Sequence, residues 1–446
     1  MNSSLSIFDV LLPPLYLVAA YTYGYLVTKK NIKNHPEYTF FTKGLMIRIV
    51  GSIALGMVYF FYYGGGDTVN YFQSASAYAK LFFKDQEGFW VGLFGNAKGY
   101  YFFFDDSTGY PVYSPRDHHA FFVVRLLVPI VALGGYTYFS SAILVAWITF
   151  GGMWKLYQTF LHEFPELKKE MAIAVLFVPS CVFWGSGIMK DSFTLSAVGW
   201  FTHAFYFFFI KKQRKISYGI YLLIASIIIL AIKPYIYFAL LPGSILWLSN
   251  NQIKKVKHQV IRILIAPFIL VIGGLGAYWS LDQMGDNLGQ YKLDNVLDKA
   301  VVSQQDLKAN YYKGNSFDIG NFDASISGVL SVSPMAIFSG IYRPALWDVR
   351  NPVMFISSLE NTYMLALTIF LLFKLKFFGF FTLIGKNPLL VFCMLFSIFF
   401  AFSVGLSVSN FGTLVRLRIP ELPFFIGGIF MLRFLYEQKT GNKMRF

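Results

Sequence analysis

Apolar runs long enough to cross a bilayer recur along the whole 446-residue chain. Nearly every unexpected charge falls at the same end of these runs. A helix crossing the hydrocarbon core needs about 20 apolar residues, so the chain is expected to be an all-α, polytopic transmembrane helical bundle. Hydrophobic residues make up 56% of it and charged residues 14%, against about a quarter charged in a soluble domain. The mean hydropathy is +0.53. A charge in or beside hydrocarbon costs several kcal/mol, so each one is a functional candidate.

The formal net charge of +15 does not point to nucleic acid. The basic residues fall in short clusters: Lys29, Lys30 and Lys33; Lys168 and Lys169; Lys211, Lys212, Arg214 and Lys215; Lys254, Lys255 and Lys257; Lys374, Lys376 and Lys386; and Arg433, Lys439, Lys443 and Arg445. Short cytoplasmic loops of a membrane protein carry such an excess, and no single basic surface of the kind that binds nucleic acid is readable. The two cysteines, Cys181 and Cys393, both lie in apolar stretches and read as small packing residues. The first apolar stretch is long and lacks a small-residue cleavage site, so it reads as a true span.

Spans are expected at about 7–27, 45–63, 139–157, 170–187, 192–210, 218–232, 235–249, 259–280, 358–373, 388–407 and 422–436, for a total of about 11 to 13. Segment 120–134 is short and carries Arg125, and alternation of the basic loops favours its not crossing. The whole chain, 1–446, reads as one integral-membrane domain with two long extracytoplasmic loops, 64–119 and 281–357. Within the first loop, Val69, Phe72, Ala75, Ala79 and Phe82 or Phe83 have the spacing of a short helix lying along the membrane surface.

Under this map the outer face collects Asp67 in GGGDTVNY, Lys190-Asp191 between two spans, and Lys233-Pro234 between two short apolar segments. It also collects Arg343 with Asp348 and Arg350, Glu360 with Asn361, Arg416 with Arg418, and Glu421. Each has a plainer alternative. Asp67 after three glycines could cap a helix, Lys190-Asp191 could be a local ion pair, and Lys233 could snorkel at a helix end. Asp348 and Arg350 read as interfacial decoration. Arg416 and Arg418 break the positive-inside pattern between two strong spans and favour function. Arginine forks match phosphate oxygens and lysine adds a point charge. An acid beside such bases can take a proton from a hydroxyl. Tyr71, Trp184, Tyr235, Tyr237, Tyr342 and Trp347 could stack on sugar faces or anchor at the interface. Neither a P-loop nor a spacing of histidines suited to a metal is present, so a divalent metal is not indicated.

These residues resemble the GT-C class of integral-membrane glycosyltransferases, which use polyprenyl-phosphate-linked sugars. The resemblance covers roughly 45–250 and the tail from 405. It runs through Asp67, Tyr71 and Ala75 to Ala79, then Lys190-Asp191, then Lys233-Pro234, and finally Arg416, Pro420 and Pro423. The chain has Asp67-Thr68 where many relatives have paired acids, and the large C-terminal soluble domain of the class is missing. YRPALWDV, SSLEN and the double arginine at 416 and 418 look more like O-antigen or exopolysaccharide polymerases. The resemblance implies transfer of a sugar or oligosaccharide from a polyprenyl (pyro)phosphate donor to a glycan or lipid acceptor, outside a bacterial inner membrane and with no cofactor required. Asp67 would act as general base. Arg343, Arg416 and Arg418 would hold phosphates with Lys190 and Lys233, while Asp191 and Glu360 orient the acceptor or the bases. The rival readings are a flippase for lipid-linked glycans, which would carry polar residues near mid-membrane, and a non-catalytic component of an envelope complex.

Overall fold

The computed structural model of the chain describes residues 7–95, 99–255, 302, 316–323, 325–350 and 352–441. Among these residues there are sixteen α-helices and no strand; one isolated antiparallel bridge joins Ser316 to Asn410. Six helical segments are long and apolar enough to cross a bilayer, or seven when the bent pair Phe411–Leu417 and Leu422–Thr440 counts as one span. The chain is a multi-pass α-helical membrane protein. Its large exposed side chains include Ile7, Leu11, Val18, Ile224, Phe373 and Phe378, which suit lipid rather than water.

The helices run in order as α1 (Ile7–Asn31), α2 (Phe41–Met57), α3 (Asp67–Lys84), α4 (Gln86–Phe94), α5 (His118–Leu133) and α6 (Tyr138–Glu163). Then come α7 (Lys168–Leu176), α8 (Pro179–Trp184), α9 (Lys190–Phe205), α10 (Ile216–Ile232) and α11 (Pro234–Lys255). The last five are α12 (Ile326–Tyr342), α13 (Pro352–Ile384), α14 (Pro388–Ser407), α15 (Phe411–Leu417) and α16 (Leu422–Thr440). The span expected at 259–280 lies outside the described residues.

Local chemistry explains many boundaries. Proline has no N–H and is tolerated at a helix start, and Pro179, Pro234, Pro352 and Pro388 each open a helix. Pro179 thereby splits the expected 170–187 span into α7 and α8. Asp117 caps α5 by accepting from the Ala120 amide at 3.0 Å, and Asn410 caps α15 by accepting from Gly412 at 2.9 Å. Segment 120–134 is helix α5, whose 16 residues span about 24 Å, short of a full crossing. Its Arg125 donates to the Leu93 carbonyl at 2.8 Å and lies over the Phe94 and Phe121 rings. The stretch 326–342, read from sequence as part of a loop, forms apolar helix α12, capped by Ser325.

Packing divides the described chain into two compact units. The first draws on 1–158, 181–203 and 220–233, the second on 159–180, 204–219 and 234–446. In the first, α3 lays Tyr71, Ala75, Tyr78 and Leu81 against Phe121, Val124 and Leu127 of α5. The expected helix exists as α3, but Val69 and Phe72 are only half-buried and the inward face is the one bearing Tyr71 and Tyr78. Below the helix, Asp105 accepts from the Lys84 ammonium and from Ser107, and the lysine holds its carboxyl below the usual range.

Small residues set the helix crossings, as they do where no water separates helices. In the first unit a Cβ on Gly199 of α9 would strike the Gly152 carbonyl of α6, and one on Gly152 would strike the Ser196 carbonyl. In the second unit Gly340 of α12 meets the Ala401 carbonyl of α14, and Gly405 of α14 meets the Ala336 carbonyl. Leucine at Gly199 should therefore cost about 1–3 kcal/mol by overpacking. Gly199→Leu is expected to lower the yield and the melting temperature of the detergent-purified protein. Gly379→Leu, whose Cβ would only touch the Leu375 side chain at 3.9 Å, should leave both unchanged.

Candidate functional site

Five helix ends meet at one end of the first unit. The α2 helix closes in a π turn, Val58–Tyr62, where Phe60 packs edge-on against Tyr138 at the start of α6 with ring centroids 4.7 Å apart. Thr68 in the first turn of α3 shares a 2.6 Å hydrogen bond with the Tyr138 hydroxyl. Tyr59 and Leu55 pack on Met189, just before α9. The end of α10 joins through Lys233, which pairs with Asp191 of α9. At the other end of the unit Tyr38 packs on Trp154 with centroids 5.0 Å apart, and His203 bonds the Lys155 carbonyl at 3.1 Å.

The triple glycine is what brings Asp67 to this end. Gly64, Gly65 and Gly66 have φ of 68°, 137° and 122°, values that side chains with a Cβ rarely adopt. The Gly65 amide donates back to the Tyr59 carbonyl at 2.9 Å, which folds the chain over the end of α2. Gly66 then holds the cap position and Asp67 is the first residue of α3. Its carboxylate sits where the helix dipole favours negative charge, and it accepts from the Tyr113 hydroxyl at 3.3 Å. Tyr113 in turn stacks on Tyr71, with centroids 4.3 Å apart and planes at 26°.

Lys190 stands at the start of α9, half-buried, and its ammonium interacts electrostatically with Asp117, Asp67, Asp191 and Lys233. Asp191 and Lys233 are 1% and 5% exposed and form a buried salt bridge. Asp191 takes Lys233, 42 residues away, as its buried salt-bridge partner. Lys233 does not reach outward to the interface; Pro234 stops α10 and the side chain turns inward. Asp117 and His119 join the cluster without having been singled out as site residues. His119 bonds the Ala231 carbonyl at 2.8 Å and so ties α5 to the end of α10. Asp117 adds a third acid near Lys190. The sequence offered His118-His119 here, a pair without the spacing of metal ligands.

The second unit holds the remaining candidates. Arg418 is fully buried, and its Nη1 donates to the carbonyls of Ile341 at 3.0 Å and Arg343 at 2.8 Å, while its Nη2 donates to Asn361. Asn361 itself donates to the Pro344 carbonyl. Arg343 makes a two-pronged pair with Asp348, at 3.1 Å through Nε and 2.6 Å through Nη2, and its guanidinium lies over Phe317 and Phe411. Asp348, read as surface decoration, is 8% exposed and also accepts from the Ala345 amide at 2.9 Å. Both arginines thus bond to the fold itself: they hold the end of α12 to α13 and α15. Arg416, half-buried in the last turn of α15, points differently because positions i and i+2 do not share a helix face. Glu360 accepts from the Ser180 amide at 2.9 Å, and Glu421 is 1% exposed beside the Arg418 charge.

The candidate residues thus fall into two sets. Asp67, Lys190, Asp191 and Lys233 converge in the first unit; Arg343, Glu360, Arg416 and Arg418 belong to the second. Of the aromatic candidates, Tyr71 is buried and Trp347 is exposed. Among the described residues no group of three or more His, Cys, Asp or Glu side chains is placed to hold a metal ion. Comparisons with protein families, curated proteins and solved structures find no match.

Two predictions concern these pairings. Removing one partner of a buried pair leaves a bare charge and costs about 3–5 kcal/mol. Lys233→Leu is expected to destabilise the protein by that amount, and Lys233→Leu combined with Asp191→Leu should recover most of the loss, as read by thermal melting in detergent. Arg418→Lys keeps the charge but loses the fork that reaches two carbonyls and Asn361 together. It should lower the melting temperature nearly as far as Arg418→Leu does.

Proposed function

We propose that this protein is an integral-membrane glycosyltransferase or polysaccharide polymerase of a bacterial plasma membrane. It takes a sugar or oligosaccharide from a polyprenyl (pyro)phosphate carrier on the extracytoplasmic side and joins it to a glycan or lipid acceptor. The observation that carries the reading is the acid–base set at one end of the first unit, where Asp67 and Lys190 are brought together from positions 123 residues apart, with the Asp191–Lys233 pair beside them.

The chemistry asks one group to take a proton and another to steady a leaving phosphate. The acceptor hydroxyl attacks the anomeric carbon, the bond from that carbon to the phosphate oxygen breaks, and the polyprenyl (pyro)phosphate departs with the bonding electrons. Asp67 takes the hydroxyl proton. Tyr113, bonded to the Asp67 carboxylate, holds it in place. Lys190 offers its ammonium to the developing phosphate charge, the kind of fixed countercharge that lowers such a barrier. Lys233 and Asp191 position the start of α9 against the end of α10 rather than touching substrate.

The test is release of polyprenyl phosphate from tritium-labelled polyprenyl-phosphate and polyprenyl-pyrophosphate sugars by purified protein in proteoliposomes. A general base contributes about 10²–10⁴-fold, so Asp67→Asn should lower release at least 100-fold with folding intact. Lys190→Gln should mainly weaken use of the donor, visible in kcat/KM. Movement of intact labelled donor across the bilayer with no release would contradict the reading and support a flippase.

A further inference from the structure

Helices α3, α4 and α5 leave one span and return to the next at the same level. The span that closes at Tyr62 leads into α3 through the glycine turn, and the span of α6 opens at Tyr138. Phe60 and Tyr138 touch, with ring centroids 4.7 Å apart, so the helices between them sit at one surface of the bilayer. A connected run of rings crosses these helices. Phe82 meets Phe83 and Phe89, Phe89 meets Trp90, and Trp90 stacks on Phe94 with centroids 5.7 Å apart and planes at 22°. Phe83, Trp90 and Phe94 are 75%, 55% and 60% exposed. Large rings open in one run mark an interaction face rather than scattered exposure, and Trp beside a span favours the headgroup level.

The run ends at a cation. The Arg125 guanidinium of α5 lies 5.4 Å from the centre of the Phe94 ring and 5.0 Å from that of Phe121. Its Nε donates to the Leu93 carbonyl at the end of α4, 2.8 Å away. A guanidinium carries five N–H donors, and the four on Nη1 and Nη2 have no hydrogen-bond or ion-pair partner among the described residues. Among those residues no carboxylate balances the charge; the group that acts on it is the Tyr78 phenol. A half-buried cation beside hydrocarbon is costly without a counter-charge. The two Nη groups form a planar edge that matches the oxygens of a phosphate.

We propose that this face is a binding site for an anionic phospholipid of the surrounding bilayer. The phosphate accepts from Arg125 Nη1 and Nη2, and the glycerol and upper acyl chains lie along Phe94, Trp90 and Phe83. A headgroup of net negative charge supplies the counter-charge that the chain does not. A zwitterionic headgroup brings its own cation and leaves the balance unmet. The site lies apart from the Asp67 and Lys190 cluster in its residues and does not depend on the glycosyl-transfer reading.

The test uses the full-length protein in phosphatidylcholine nanodiscs and two photoreactive lipids, a phosphatidylglycerol and a phosphatidylcholine, each with a diazirine in the acyl chain near the glycerol. Labelled peptides are mapped by mass spectrometry. The phosphatidylglycerol probe is expected to label the peptides that carry 83–94 and 121–125 about fivefold more than the phosphatidylcholine probe, the effect of one interfacial cation. Arg125→Gln should erase that preference. Phe94→Asp sets a carboxylate beside the guanidinium at an exposed position, so it should erase the preference with Arg125 still in place. In both variants the phosphatidylcholine probe should label as before, which reports an intact face. Equal labelling of the unaltered protein by the two probes, no labelling of these peptides by either, or a preference that survives in either variant would overturn the proposal. So would a polyprenyl phosphate that competes more strongly than phosphatidylglycerol, because the site would then belong to the carrier lipid.

Discussion

A charge carried out of water must meet its counter-charge or a set of oriented dipoles within the same few ångströms, because the low dielectric of the interior multiplies the cost of leaving it bare. In the first unit this requirement is met by the salt bridge between Asp191 and Lys233. The pair forms only if the start of α9 and the end of α10 arrive at the same level, and Lys190, one residue before Asp191, is carried there with them. Pro234 contributes by ending α10 where the lysine has to turn in. The acid–base end of the unit is in this sense a by-product of satisfying one buried pair.

The same rule builds the second unit with different parts. Arg418 meets carbonyls at the end of α12, groups that a helix leaves without internal partners, and Asn361 closes the network from α13. Arg343 finds Asp348 five residues on. Arginines in an apolar chain can thus be explained by helix termini as well as by ligands. Arg48, buried in α2, shows the point again: it donates to Thr149 at 3.1 Å and to the Gly185 carbonyl. Phosphate recognition is better served by Lys190, half-buried with Asp67, Asp117, Asp191 and Lys233 as its charged neighbours.

Much of the fold was legible in the sequence because membrane helices announce themselves by length and apolarity alone. The segments at 7–27, 139–157, 192–210 and 388–407 all correspond to long helices. Asp67, Lys190, Asp191 and Lys233 were legible as a one-ended set because charge is so rare in such a chain. What the sequence hid was pairing. Nothing in the one-dimensional order names Lys233, 42 residues away, as the buried partner of Asp191. Asp348 looked like a surface acid because its partner, Arg343, is set by a turn rather than by a helical period. Helix α12 was read as loop because its Gly, Ser and Pro dilute the apolar signal, yet Gly340 is what lets it approach α14.

The central claim is that the Asp67 and Lys190 cluster opens to the side of the membrane opposite the basic loops. The most direct measurement is labelling with a membrane-impermeant maleimide in intact cells, in a background carrying Cys181→Ala and Cys393→Ala. Asp67→Cys is predicted to label from outside without permeabilisation, and Lys33→Cys only after the membrane is opened. Labelling of both positions from the same side would contradict the account.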